Sequence, residues 1–224
     1  MITDLITSVP DCVLGLATGS TPLDTYRGLV QRHQHGLRFD EVETFNLDEY
    51  AGLASDHPQS YHAYMAENLF DHIDIDRSDT HIPRGDADDL DEECLRFEQS
   101  IRDVGGVDHW LLGIGSNGHV AFNEPGCDPD STTRVVDLAP ETITANSRFF
   151  DRAEDVPRRA LTAGISTILS ADRIVLLAYG ANKAEAVAEA IAGPVSPDCP
   201  ASFLQTHPDC TFLLDTAAAS LLLP

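Results

Sequence analysis

The chain has 224 residues, enough for one large domain at the usual ~150 residues per domain, and enough to bury a core without disulfide or metal support. It carries 37 acidic against 14 basic side chains, a net charge of −23, and its single lysine is Lys183. A surface this acidic repels phosphate backbones and anionic lipid, so it excludes nucleic-acid binding and membrane association by general electrostatics.

Residues 1–10 hold Asp4 and no positive side chain, unlike a secretory signal. Residues 12–17 form the first of six short apolar runs that read as strands buried on both faces; the others are 43–47, 109–114, 134–138, 173–179 and 211–214. Between them lie helical patterns. Residues 22–35 place Leu23, Tyr26, Leu29 and Val30 on one face, with Thr21 as N-cap, Pro22 at the first position and Gly36 as the stop. Residues 60–70 carry Tyr61, Tyr64, Met65 and Leu69. Residues 88–104 carry Leu90, Cys94, Phe97 and Ile101 behind an acidic run from Asp86 to Glu93, which suits a helix N-terminus. Residues 182–192 end at Gly193-Pro194. Alternating strands and helices predict an α/β fold over 1–224 as a single domain, with a mostly parallel, Rossmann-like central sheet and helices on both faces. Ligands of such sheets sit beyond the carboxyl ends of the strands.

The first strand is followed by Thr18-Gly19-Ser20-Thr21-Pro22. Small residues leading into a helix form either a phosphate cradle or an ordinary capped turn, and the GK[ST] ending of a P-loop is absent. The second is followed by Asp48 and Glu49, which read as a general base, as metal ligands, or as a solvated loop end. The third leads into Gly113-Ile114-Gly115-Ser116-Asn117-Gly118-His119-Val120-Ala121-Phe122-Asn123-Glu124-Pro125-Gly126. The dinucleotide fingerprint hidden there needs a helix directly after the glycines, and Pro125, Gly126 and Pro129 forbid one. What remains is Asn117, His119 and Glu124 in close sequence, an acid–base unit or a structural histidine. Lys183 follows the fifth strand, in the first turn of a helix whose dipole it opposes, which suggests an anion nearby or a lysine left by chance. No histidine pair has zinc spacing, and the five cysteines are scattered without a CxxC pair, so neither a metal nor a disulfide framework is expected and a reducing, cytoplasmic setting is.

Taken together, Leu16 to Pro22, Phe45-Asn46-Leu47-Asp48-Glu49-Tyr50, Gly113 to Gly126, Ala145-Asn146-Ser147-Arg148-Phe149-Phe150 and Gly180-Ala181-Asn182-Lys183-Ala184 resemble the glucosamine-6-phosphate deaminase (isomerase) family, short form, from about residue 13 to 220. The sister family, 6-phosphogluconolactonase, shares the fold and the glycine-rich loop, but usually shows DER where Asp48-Glu49-Tyr50 stands and DGHTASLFP where this chain has NGHVAFNEP.

The resemblance implies conversion of D-glucosamine 6-phosphate and water to D-fructose 6-phosphate and ammonia, in amino-sugar catabolism, without a cofactor. It assigns ring opening to His119, supported by Asn117 and Glu124, and proton transfer from C2 to C1 to Asp48. It assigns the phosphate to Gly19, Ser20, Thr21, Arg148 and Lys183, and makes residues 139–157 a lid. Asn117 stands where some members carry Asp, which leaves Glu124 as the carboxylate partner of His119. The stretch that binds an effector phosphate in longer members keeps Arg134 but then reads Val135-Val136-Asp137, so activation by N-acetylglucosamine 6-phosphate is not expected. The expected partner is a small sugar phosphate, and the expected assembly a monomer or small homo-oligomer. Competing readings are a 6-phosphogluconolactonase, a deaminase/isomerase for galactosamine 6-phosphate, and a non-catalytic sugar-phosphate sensor. The acidity itself fits salt adaptation, GC-rich coding or simple surface solvation.

Overall fold

In a computed structural model, residues 1–147, 150 and 152–222 are described. A six-stranded sheet is built from β1 (Val13–Leu16), β2 (Glu43–Asn46), β4 (Thr80–His81), β5 (His109–Leu112), β8 (Arg173–Ala178) and β9 (Cys210–Leu214). The order is β4-β2-β1-β5-β8-β9, and every pairing is parallel. Chain order reverses between β1 and β5, which makes the gap beyond their carboxyl ends the topological switch point.

Side-chain alternation along these strands divides the core into two layers. Val13, Trp110, Leu112, Ile174 and Leu176 pack on one face. That layer is covered by α4 (Leu90–Asp103), α6 (Ile165–Leu169) and α7 (Ala184–Ala192), through Phe97, Ile101, Ile168 and Val187. Leu14, Leu16, Leu111, Val175 and Leu177 pack on the other face. They meet α1 (Ile2–Ser8), α2 (Leu23–Gln34) and α3 (Tyr61–Asn68), through Ile6, Tyr26, Leu29 and Met65. The inner runs β1, β5 and β8 are apolar nearly throughout because neither face meets water, while the edge strands β4 and β9 are only partly buried.

The expected run 134–138 does not join this sheet. Its residues form β6 (Arg134–Asp137), which pairs antiparallel with β7 (Arg159–Thr162), and β7 in turn pairs antiparallel with β3 (Asp48–Tyr50). This three-stranded sheet lies beyond the carboxyl end of β2, and β6 is only partly buried on it. Continuous apolar character marked a strand correctly, but cannot tell which sheet the strand enters. The polar strand β3 carries no apolar run and is not among the expected strands; tertiary pairing with β7 overrides its weak propensity.

Helix ends agree with their caps. Asp89 caps α4, accepting from Asp91 and Glu92 backbone N–H at 3.0 Å each, with Asp91, Glu92 and Glu93 in the first turn. Ser60 caps α3, accepting from Ala63 N–H at 3.0 Å. At α2 the cap is Pro22 with no side-chain bond, one residue later than the expected Thr21. The N-terminal α1 and the short α5 (Pro140–Asn146) have no counterpart among the predicted helices. No helix among the described residues is long and apolar enough to cross a membrane.

Candidate active site

Four chain segments meet at the switch point: the turn after β1, the start of β3, the glycine-rich loop after β5, and the turn after β8. They enclose a cavity of about 360 Å³ lined by Thr18, Gly19, Ser20, Thr21, Asp48, Asn117, His119 and Lys183, among others. Glu141, Thr142 and Asn146 of α5 form its cover. Gly19, Ser20, Thr21, Asp48, Asn117, His119 and Lys183 are therefore brought together, and Glu124 stands behind His119. Arg148 lies outside the described residues, as does part of the expected lid at 139–157.

The turn after β1 leads a glycine-bent backbone straight into the N-terminus of a helix. Gly19 has a backbone φ of +90°, open to glycine at little cost, and the N-terminus of α2 follows directly. The backbone N–H groups of Thr18, Gly19, Ser20 and Thr21 find no acceptor among the described residues. Lys183 stands at the N-cap of α7 on the same cavity.

Asp48 is 6 % exposed, and its carboxyl accepts no hydrogen bond among the described residues. Burial, and next the negative charge of Glu49, push it up to about 8. Glu49 itself faces away from the cavity. One oxygen accepts from Tyr50 N–H at 2.8 Å. The other accepts from Tyr61 N–H at 2.8 Å and lies 3.0 Å from His62 Nδ1. The acidic pair is thus divided: Asp48 meets the cavity, and Glu49 fixes the first turn of α3. Of the readings open for the two, the solvated loop end is excluded by their burial. No cluster of three or more His, Cys, Asp or Glu among the described residues is placed to hold a metal.

The glycine-rich loop supplies a second unit. His119 Nδ1 is buried without an aligned hydrogen bond and faces Glu124 Oε2 at 3.4 Å. Asn117 Nδ2 donates to the same oxygen at 2.8 Å, while Asn117 Oδ1 accepts the backbone N–H of His119 at 3.2 Å. Asn117 therefore holds the pair through its carboxylate and backbone, not through the imidazole. Thr142 of α5 donates its hydroxyl to Glu124 Oε1. Burial pushes the Glu124 carboxyl up, but His119 and the two donors outweigh it and hold the group at about 2. Gly115 makes room for the imidazole: a Cβ there would lie 2.2 Å from His119 Cε1. Ala121, on the next turn of the loop, has φ of +51°, a strained backbone for a residue with a side chain. Thr142 belongs to no motif visible in the sequence, and Glu49, one of the two candidate acids there, gives no local sign that it turns to α3, because their partners lie 18 and 12 residues away in segments whose packing no motif encodes.

Fold and site together define a Rossmann-like α/β protein whose switch-point cavity joins a glycine turn at a helix N-terminus to a buried carboxylate and a His–Glu pair. Residues 1–213 match the model of the family described as glucosamine-6-phosphate isomerases/6-phosphogluconolactonase, and the chain belongs to this family. It is 59% identical over 222 residues to a glucosamine-6-phosphate deaminase of Rhodopirellula baltica, covering 99% of this chain and 88% of that one. It is 53% identical over 219 residues to glucosamine-6-phosphate deaminase 1 of Bacillus subtilis, covering 97% and 90%. A solved structure described as a monomeric glucosamine-6-phosphate deaminase superposes with a TM-score of 0.96 at 53% identity, covering 98% of this chain and 92% of that one. A 6-phosphogluconolactonase from Trypanosoma cruzi shares the fold, with a TM-score of 0.81 at 22% identity, covering 100% and 90%.

Proposed function

We propose that this chain deaminates D-glucosamine 6-phosphate, giving D-fructose 6-phosphate and ammonia with uptake of one water. The observation that carries this reading is one cavity holding a buried carboxylate, Asp48, that accepts no hydrogen bond among the described residues, together with the His119–Glu124 pair and the turn at residues 18–21. Its relatives at 53–59% identity carry the same name.

The geometry suits proton transfer next to a carbonyl. The phosphate seats on the N–H groups of residues 18–21, with Lys183 and Arg148 as cationic partners. Held there, the sugar presents its first two carbons to the other end of the cavity, so binding energy on an unreactive group orients the reacting ones. His119 takes the proton that opens the ring, with Glu124 stabilising the imidazolium. Asp48 removes the C2 proton and returns it to C1. This leaves an imine at C2, which water converts to the ketone as ammonia departs. The cationic ammonium on the incoming substrate draws Asp48 toward its charged, basic form. Residues 139–157 act as the lid, and α5 reaches Glu124 through Thr142.

The five cysteines are free thiols, which supports a cytoplasmic protein. The monomeric relative at 53% identity supports a monomer. The decisive assay incubates the chain with glucosamine 6-phosphate and measures ammonia and fructose 6-phosphate, which should appear in equal amounts. Hydrolysis of 6-phosphogluconolactone without ammonia release would replace this reading with a lactonase.

A further inference from the structure

The anion-binding turn is held from outside the cavity by two tyrosines on different helices. Tyr26 of α2 is fully buried and donates its hydroxyl to the Ala17 carbonyl. Tyr64 of α3 donates to the Gly19 carbonyl at 2.6 Å. In a trans peptide the carbonyl and the following N–H point in opposite directions, and the chain holds no cis peptide among the described residues. Fixing Ala17 O therefore fixes the direction of Thr18 N–H, and fixing Gly19 O fixes that of Ser20 N–H. These N–H groups are among those that find no acceptor among the described residues.

From this arrangement we propose that Tyr64 is a positioning residue for substrate phosphate: its hydroxyl holds the Gly19–Ser20 peptide with the N–H turned into the cavity. The inference rests on the sugar-phosphate reading above. The need for such a brace follows from the turn itself. Gly19 has a φ that any glycine leaves readily, and both Gly19 and Ser20 are exposed. Without an external bond the Gly19–Ser20 peptide is free to flip, and a flipped peptide presents a carbonyl oxygen to the anion. Tyr26 secures the buried start of the turn, and Tyr64 secures its exposed tip.

Tyr64 reaches the turn because α3 is itself anchored. Its N-terminus is held by Ser60 and by Glu49, the residue after Asp48. Tyr61 and Tyr64, three residues apart, share one helix face, and Tyr61 packs on Tyr50 at 5.1 Å and is stacked with Phe122 at 6.3 Å between ring centroids. The strand that carries the candidate base thus also sets the helix that braces the phosphate turn. The Tyr64 hydroxyl touches no reacting atom, so its role is orientation alone.

The test is Tyr64→Phe, which keeps the ring and removes the bond. The expected result is a rise of about fivefold in KM for glucosamine 6-phosphate, matched by an equal rise in the inhibition constant of inorganic phosphate, with kcat within about twofold. An unchanged KM and inhibition constant in the folded variant would overturn the proposal. So would a loss of kcat with phosphate inhibition unaltered, which would place Tyr64 at the base instead. A second measurement needs no variant: in the 15N-labelled wild-type chain, inorganic phosphate should shift the amide signals of Thr18 and Ser20, and no shift at Ser20 refutes the assignment. If the wild type releases no ammonia from glucosamine 6-phosphate, the deaminase reading fails, while the phosphate arms still decide the role of Tyr64.

Discussion

Asp48 and Glu49 are neighbours in β3, and the strand turns their carboxyl groups to opposite sides: Asp48 into the cavity, Glu49 onto the first turn of α3. Among the described residues Asp48 accepts no hydrogen bond, while Glu49 accepts from Tyr50 N–H and Tyr61 N–H and faces His62 Nδ1. Asp48→Asn keeps the shape and removes the base. It should lower kcat by about a thousandfold or more, while inhibition by inorganic phosphate, proposed to bind at residues 18–21, stays within about twofold. Turnover near the wild-type rate would remove Asp48 from the mechanism.

The elevated Asp48 carboxyl also fixes a pH dependence. A base held up to about 8 is mostly protonated at neutrality in the free enzyme, so kcat/KM should rise with pH through that value. Because the bound ammonium favours the carboxylate, the corresponding limb of kcat should lie at lower pH. Glu49→Gln removes the adjacent charge and should move the kcat/KM limb down by about half a unit or more, though it also weakens the anchor of α3. A limb unmoved by that change would belong to the substrate amine.

The same group affects stability in a definite direction. A carboxyl raised in the folded state favours folding when protonated, so its contribution is complete below the ordinary carboxylate range and is lost as pH rises through about 8. Urea unfolding between about pH 5 and 8 should show stability falling, by at most about 1.4 kcal/mol per pH unit from this one site. Asp48→Asn should flatten that slope. A slope equally steep in the variant would assign the loss to other groups.

Much of this arrangement was legible in the chain. The apolar runs located the parallel sheet because both of its faces are buried, and residues that follow strands fell at one edge because parallel strands place their carboxyl ends together. What the chain hid was side-chain direction and long-range pairing. Nothing local says that Glu49 points away from Asp48, or that polar β3 pairs with Arg159–Thr162. Thr142 is an ordinary helix residue until α5 is laid over Glu124. Tyr64 reads as a core position of an amphipathic helix, and only the fold brings its hydroxyl to a carbonyl 45 residues away in sequence.

Gly115 offers a steric test of the imidazole position. A methyl group there meets the His119 ring at 2.2 Å and cannot be accommodated without moving it. Gly115→Ala should cost about tenfold or more in kcat, with the midpoint of thermal unfolding changed far less than activity. Activity equal to wild type would show that the ring position is immaterial to the rate-limiting step.

Thr142 ties α5 to the acid–base pair. Thr142→Val removes a donor to a half-buried carboxylate at nearly constant volume and should cost about 1–2 kcal/mol. The Glu124 group, now held at about 2, should move up toward the ordinary range. A carboxyl depressed in the folded state contributes stability present above the ordinary range and lost as pH falls toward 2. The variant should therefore unfold at higher pH in an acid titration followed by circular dichroism. An acid transition identical to the wild type would show that Thr142 does not stabilise the charged form.

The charge of −23 is the last feature with a measurable consequence. Exposed ion pairs such as Arg38–Asp40 and Arg173–Asp209 contribute little and weaken with salt. The larger electrostatic effect is repulsion among the unpaired carboxylates, and salt weakens that repulsion too. Raising KCl from about 0.05 to about 2 M shortens the screening length from over ~10 Å to under ~3 Å. The balance favours the folded state, so the melting temperature should rise by about 5 °C. Capture of an anionic substrate meets the same field. Global steering opposes it, and in the proposed reading the α2 N-terminus, the turn at residues 18–21, Lys183 and Arg148 act for it locally. KM for glucosamine 6-phosphate should therefore fall at first as salt is added, and rise again once anions occupy the phosphate turn. A melting temperature that is flat or falling over the same range would show that repulsion is not what limits this fold, and a KM that rises from the first addition would show that local attraction already governs capture.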